Sequence, residues 1–208
     1  MGIYTTYQAK KFSVPELEGI SKKSVDEHIG LYEGYVKNFN AISTALEDLS
    51  KDSDPSTPLG AGKNDHAISE LMRRRSFEFG GMRLHEHYFP QFEGGSTPLG
   101  ASSPLAKALT KDSGSVETAL KALRQAAAMR GPGWALLYYD PEADCFLIGF
   151  TGEQHQGHFA TLPIILALDV WEHAYILDYG AAGRGKYVDA FFKNLNWSVM
   201  EERFEQLK

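Results

Sequence analysis

Apolar positions follow two different rhythms along this chain. Val25, Ile29, Tyr32, Val36 and Phe39 recur every three or four residues, and Ile42, Leu46 and Leu49 carry the pattern on. That period marks one face of an α-helix and predicts a single long helix over roughly 21–50. Ser21 or Ser24 can cap it, and Asp26 and Glu27 lie where the helix dipole favours acid. Residues 51–63, KDSDPSTPLGAGK, break the pattern with proline, glycine, serine and aspartate and read as a loop. A second helix is expected from about 64 to 92. Its interior Gly80-Gly81 costs roughly 1 kcal/mol per glycine against alanine, so the pair signals the close approach of another group. Two long helices joined by one loop make an antiparallel hairpin.

Past a linker at 93–104 the elements become mixed. Leu105–Met129 carries alanine and leucine at helical spacing, while Trp134–Tyr139 and Cys145–Phe150 read as strands around a turn at Asp140-Pro141-Glu142. Ile164–Asp169 reads as a short buried strand, and Tyr187–Leu195 and Ser198–Leu207 as helices. Residues 1–20, interrupted by Pro15, form an irregular arm. The fold class expected is α+β, with an N-terminal antiparallel helical hairpin domain (1–100) packed on a C-terminal α/β domain (101–208). The second domain holds a small three-stranded antiparallel sheet. Ser-Thr-Pro-Leu-Gly-Ala occurs at 56–61 and again at 96–101, but a repeat architecture needs far longer units.

Composition narrows the function classes. The 208 residues are 43% hydrophobic and 23% charged, the balance of an ordinary soluble protein. A chain of this length buries a core without disulfide staples. Its single cysteine, Cys145, lies in an apolar run and suits a reducing compartment, so a cytoplasmic location is expected. No basic patch followed by an apolar core opens the sequence, and no stretch reaches the ~18 apolar residues of a membrane span. A net charge of -6 argues against a nucleic-acid surface, and it means an anionic substrate needs a local positive field.

Seven histidines are present: His28, His66, His85, His87, His155, His158 and His173. The most informative neighbourhood is Asp169-Val-Trp-Glu-His173, a carboxylate and an imidazole four residues apart just after a buried strand. Both are metal ligands. Alone the spacing is common, and a hydrogen-bonded core pair explains it equally. His28 and His85 lie on the apolar sides of the two long helices, so a packed hairpin can bring both to Asp169 and His173. Three imidazoles and one carboxylate leave a position open on a five-coordinate metal, unlike a structural zinc site closed by four ligands.

At this point the sequence resembles the iron/manganese superoxide dismutases over nearly its whole length. The motif D-x-W-E-H-A-Y stands here as Asp169-Val-Trp-Glu-His-Ala-Tyr175, and G-x-G-W as Gly131-Pro-Gly-Trp134. On the first helix, His28 followed by Tyr35-Val36-Lys37-Asn38 matches the family's ligand histidine, tyrosine and asparagine. On the second, Gly80-Gly81-Met-Arg-Leu-His85 matches its glycine pair and ligand, and Asn196-Trp197 its C-terminal Asn-Trp. The resemblance implies that His28, His85, Asp169 and His173 bind one iron or manganese ion with a solvent fifth ligand. It implies a metal alternating between +3 and +2 that converts two superoxide anions and two protons into oxygen and hydrogen peroxide. Tyr35 matches the gateway tyrosine. A further side chain tunes the bound solvent. Where iron members often carry a glutamine for this, four residues before the second-helix ligand, this chain has Gly81. The loop Gly152–His158 is then the expected source, with His155 the first choice and Gln154 the second. Glu172 resembles a glutamate that crosses a two-fold interface, implying a homodimer or a tetramer built from it. Trp134 and Trp171 are expected to wall the site, and Arg184 is a candidate for attracting the anion.

The chain departs from the family at several places. His28 and Tyr35 are seven residues apart where eight is usual, which fits a regular helix without a π-bulge. The histidine usual four residues before Tyr35 is absent, with Tyr32 the neighbouring candidate, and Ile176 replaces a tyrosine. Those two positions usually meet across the dimer, so a rebuilt interface is expected. Two other readings stand beside this one. A two-His, one-carboxylate oxygenase needs only three ligands and usually a β-barrel pattern. A non-enzymatic metal-binding or structural module of the same fold would be expected to have lost ligands.

Overall fold

The computed structural model describes residues 5–51 and 62–208. The expected loop at 51–63 therefore falls largely outside the described residues. Helix α1 spans Lys22–Lys51, unbroken and α-helical throughout, and buries Ser24, His28, Tyr32, Val36, Phe39, Ser43 and Leu46 on one face. Ser21 caps it, its hydroxyl accepting from Ser24 N at 3.1 Å. Helix α2 spans Asp65–Tyr88. Along the pair, Arg75 reaches Ser43, Gly81 lies under Tyr35, Glu86 meets Tyr32, and Tyr88 packs on His28. Rising numbers on one helix meet falling numbers on the other, which is an antiparallel hairpin.

The expected second helix stops early. Pro90 has no N–H to continue the ladder, so Phe89–Phe92 tightens into a 3-10 turn. The single helix expected over Leu105–Met129 is two: α3, Pro104–Ser113, and α4, Val116–Ala127. Gly114 takes a left-handed φ of 80° that ends α3, and the Ser115 side chain accepts from Thr118 N to start α4.

The sheet has three antiparallel strands in the order β2-β1-β3: β1 Gly133–Asp140, β2 Cys145–Gly152 and β3 Ile164–Asp169. The fold is thus α+β, with long N-terminal helices and a C-terminal half built on this small sheet. Gly133 through Tyr139 are all buried, because β1 is central and covered on both faces. The edge of β3 is closed by a side chain. The Gln91 amide donates to Ala167 O and accepts from Ala167 N, both at 2.8 Å, as a neighbouring peptide would. Arg203 adds a bond to Ile165 O at 2.9 Å. Two asparagines pin the irregular arm the same way, Asn40 on the backbone of Tyr7 and Asn194 on that of Glu18.

After β3 come a 3-10 turn at Glu172–Ala174, a short α5 at Ile176–Tyr179, α6 at Arg184–Lys193 and α7 at Trp197–Glu205. The register pairs Trp134 with Asp169, so the start of β1 and the end of β3 lie side by side beneath the hairpin.

Candidate metal centre

Four elements deliver one ligand-type side chain each. His28 comes from the second turn of α1, His85 from the last turn of α2, Asp169 from the end of β3, and His173 from the 3-10 turn. Their ligating atoms all lie within 4.8 Å of one another. Asp169 Oδ2 is the focus, 3.2 Å from His28 Nε2, 3.1 Å from His173 Nε2 and 3.6 Å from His85 Nε2. The other carboxylate oxygen accepts from Trp171 N at 2.8 Å, which fixes the orientation of the group.

The donor chemistry suits a metal ion. His85 Nδ1 lies 2.6 Å from Gly81 O, a carbonyl that only accepts, so Nδ1 carries the hydrogen and Nε2 presents a lone pair. That Nε2 is buried and has no hydrogen-bond partner, an unmet need that a cation satisfies. Ligands about 2.1 Å from one ion sit at most ~4.2 Å apart, so the cluster needs only slight contraction.

Protonation states favour binding too. Burial, followed by the charge of His28, lowers the His85 pKa to about 3. Burial also lowers His28, against the pull of Asp169. For Asp169, burial alone would raise the carboxyl, but His173 and His28 outweigh it and hold the group below its usual range. At neutral pH the cluster therefore presents neutral imidazoles on α1 and α2 and a carboxylate on β3.

Aromatic rings wall the cluster. Trp134 stands edge-on to His85 at 5.1 Å and Trp171 stacks on His173 at 5.9 Å. Phe89 and Tyr88 cover His28. His28, His85 and Asp169 are buried, while the His173 side chain is 20% exposed, so the mouth lies at His173. A cleft of about 460 Å³ opens there, lined by Gly131, Pro132, Trp171, Glu172, His173 and Arg184. Arg184 spends its N–H groups on Met129 O and Gly131 O, bonds that leave its charge in place.

The loop after β2 sends its two candidates in different directions. Gln154 is fully buried and joins Trp134 to Tyr35: its Oε1 accepts from Trp134 Nε1 at 2.8 Å and its Nε2 donates to the Tyr35 hydroxyl at 2.9 Å. His155, the first choice, points the other way. Its ring packs on Phe77, its Nδ1 lies 3.7 Å from Glu153, and it lines a separate groove outside α2. The physical reason is a kink: Glu153 takes a φ of 54° and Gly152 bridges Gln156, which turns Gln154 inward and its neighbour outward.

The glycine pair shows what approaches α2. A Cβ at Gly81 would lie 2.5 Å from the Tyr35 ring, and one at Gly80 would lie 1.9 Å from Gln154 O. Tyr35 thus packs flat on Gly81, with its ring 5.2 Å from that of His85. Tyr32 is not at an outer face. It is wholly buried, its hydroxyl accepting from Lys10 N at 2.7 Å and meeting Glu86 at 3.2 Å. Leu31, at 44%, and Ile176, at 41%, are exposed instead. Helical phase is the cause, since residue 32 follows His28 by one turn and shares its inward face. Glu172 is exposed, and so is His66. His87 is half-buried away from the cluster, its pKa lowered to about 4 mainly by desolvation. Sequence reasoning missed the Trp134–Gln154 bond, which leaves no spacing signal.

Comparison with known proteins gives a consistent result. The model of the iron/manganese superoxide dismutases, C-terminal domain, matches residues 101–203. The chain is 34% identical to an iron superoxide dismutase of Aquifex pyrophilus over 210 residues, 99% of this chain and 94% of the relative. It is 35% identical to an iron superoxide dismutase of Saccharolobus solfataricus, covering 96% of each. A manganese superoxide dismutase of Halobacterium salinarum is 34% identical over 84% of this chain and 81% of its own length.

Proposed function

Because this chain belongs to the iron/manganese superoxide dismutase family, we propose that it dismutates superoxide at one iron or manganese ion held by His28, His85, Asp169 and His173. The observation that carries this reading is the convergence of three imidazole Nε2 atoms on one carboxylate oxygen, with His85 Nε2 left unpartnered. When bound, the ion supplies a one-electron couple between +3 and +2, through which two superoxide anions and two protons become oxygen and hydrogen peroxide. The three imidazoles distinguish the site from a two-His, one-carboxylate oxygenase.

The chain's own groups do the rest. Tyr35 is the gateway residue. Its oxygen accepts from Gln154, so its hydroxyl hydrogen is free for a partner other than Gln154. Burial first, then the negative charges of Asp169 and Glu78, push the phenol above its ordinary pKa, so it keeps that proton at neutral pH. Gln154 takes the tuning role. Trp134 and Trp171 keep water from the buried side. Arg184 supplies positive charge at the mouth, which a chain of net charge -6 needs for an anion.

The homodimer is part of the same reading. Exposed Glu172, Leu31, Ile176 and Leu177 suit a two-fold interface beside the mouth, more apolar than the family's usual pairing. Ultracentrifugation of Ile176→Glu tests it: the account expects a dimer that dissociates, and a monomeric parent chain would contradict it. No described helix is long and apolar enough to cross a membrane. A reducing, cytoplasmic setting suits the single cysteine.

The enzymatic claim is tested by loading the metal-free chain separately with iron and with manganese. One ion per chain and turnover far above the free ion are expected for at least one metal. Stoichiometric metal without such turnover would leave only the non-enzymatic module.

A further inference from the structure

Two contacts of His158 bear on the reactive centre. Its Nδ1 lies 2.9 Å from the Tyr138 hydroxyl and its Nε2 lies 3.3 Å from Gln154 O. A carbonyl oxygen only accepts, so in the neutral ring Nε2 carries the hydrogen, and Nδ1 accepts from Tyr138. Tyr138 is buried on β1, four residues after Trp134. One strand therefore grips Gln154 twice. Trp134 holds the side-chain oxygen directly, and Tyr138 holds the backbone carbonyl through His158. From the other side the same carbonyl abuts Gly80, where a Cβ would come within 1.9 Å.

We infer that His158 is a positioning residue of the reactive centre, fixing the backbone of Gln154 so that its amide nitrogen meets Tyr35. The inference deepens the role assigned to Gln154 and rests on it. The peptide at 154–155, which carries this carbonyl, lies in the turn after left-handed Glu153, so no sheet ladder fixes it. The imidazole bridge and the glycine contact take that place. A displaced carbonyl would swing the amide, lengthening both the Trp134 and the Tyr35 bonds. Small displacements of such outer partners alter metal sites strongly.

The test uses His158→Ala, His158→Gln, Tyr138→Phe and Gln154→Ala in the full chain. Glutamine at 158 can donate to the same carbonyl and so serves as the rescue. The first readout is the Trp134 Nε1–H resonance of the metal-free protein, which reports its bond to Gln154. The second is the midpoint potential of the metal-loaded protein. His158→Ala is expected to shift both, to keep its metal and to lose about tenfold in rate, the low end for an outer partner. Tyr138→Phe should shift both less, and His158→Gln should restore them. If Gln154→Ala moves both readouts while His158→Ala moves neither, the inference fails and the role of Gln154 stands. If Gln154→Ala moves neither, the role of Gln154 fails and that of His158 with it.

Discussion

The four-residue cluster and the loop just behind it differ in how their positions are set. His28, His85 and Asp169 each sit on a regular helix or strand, so a period of 3.6 or 2 fixes where each points. His173 follows in a tight turn held by Asp169 itself. Gln154 sits in an irregular loop whose phase is set by a left-handed residue, a bridge and two side chains from β1. Regular elements make the ligands robust and legible. The loop leaves Gln154 adjustable, and its neighbours decide which residue faces inward.

The comparison breaks most visibly at the ligands. Asp169→Ala leaves three imidazoles without their shared carboxylate. It should lose bound metal and more than ~100-fold in turnover, beyond the loss typical of an outer partner. Metal analysis with a superoxide assay checks this. The next largest effect is on the loop. Gln154→Ala should keep metal and lose about 10–100-fold in rate, while His155→Ala stays near the parent chain. The reverse ranking would mean that the loop turns over when metal binds.

Glycine substitutions separate packing from chemistry. Gly81→Ala drives a methyl into the Tyr35 ring and should cost about 1–3 kcal/mol, partly offset by ~1 kcal/mol of helix propensity. Gly30→Ala, on α1 with nothing within 4 Å, should instead stabilise by up to ~1 kcal/mol. Urea midpoints of the two variants give the difference directly.

The smallest effect is a pH dependence of the metal-free protein. The folded pKa of His85 is lowered to about 3 and that of His87 to about 4, both below the usual 6.5. Between those values and 6.5 the unfolded chain binds more protons, so stability rises with pH across that window. The melting temperature should fall as pH drops from about 6.5 towards 4. Bound metal should delay the fall at His85, and His87→Gln should reduce it.

Much of this was legible in the sequence because local rules agreed with the fold. The α1 stripe, the three strands and the convergence of two helical histidines on Asp169 and His173 all follow from periodicity and motif. Gly80-Gly81 correctly signalled close approach, and the partners prove to be Gln154 and Tyr35. The illegible parts share a cause. Ser113-Gly114-Ser115 splits a helix that composition alone continues, because one left-handed glycine and one cap outweigh propensity. Tyr32 stood for an interface position until helical phase put it inside and Leu31 outside. His155 and Gln154 are adjacent, and only the kink at Glu153 decides between them.

The most direct test of the central claim is the rate of superoxide decay as a function of metal occupancy. Samples of the chain are loaded with iron or manganese to graded fractions and their bound metal is counted. The account predicts, for at least one of the two metals, a rate proportional to bound ion, saturating at one per chain and absent in Asp169→Ala. A rate that ignores occupancy, or that survives the loss of Asp169, would contradict it.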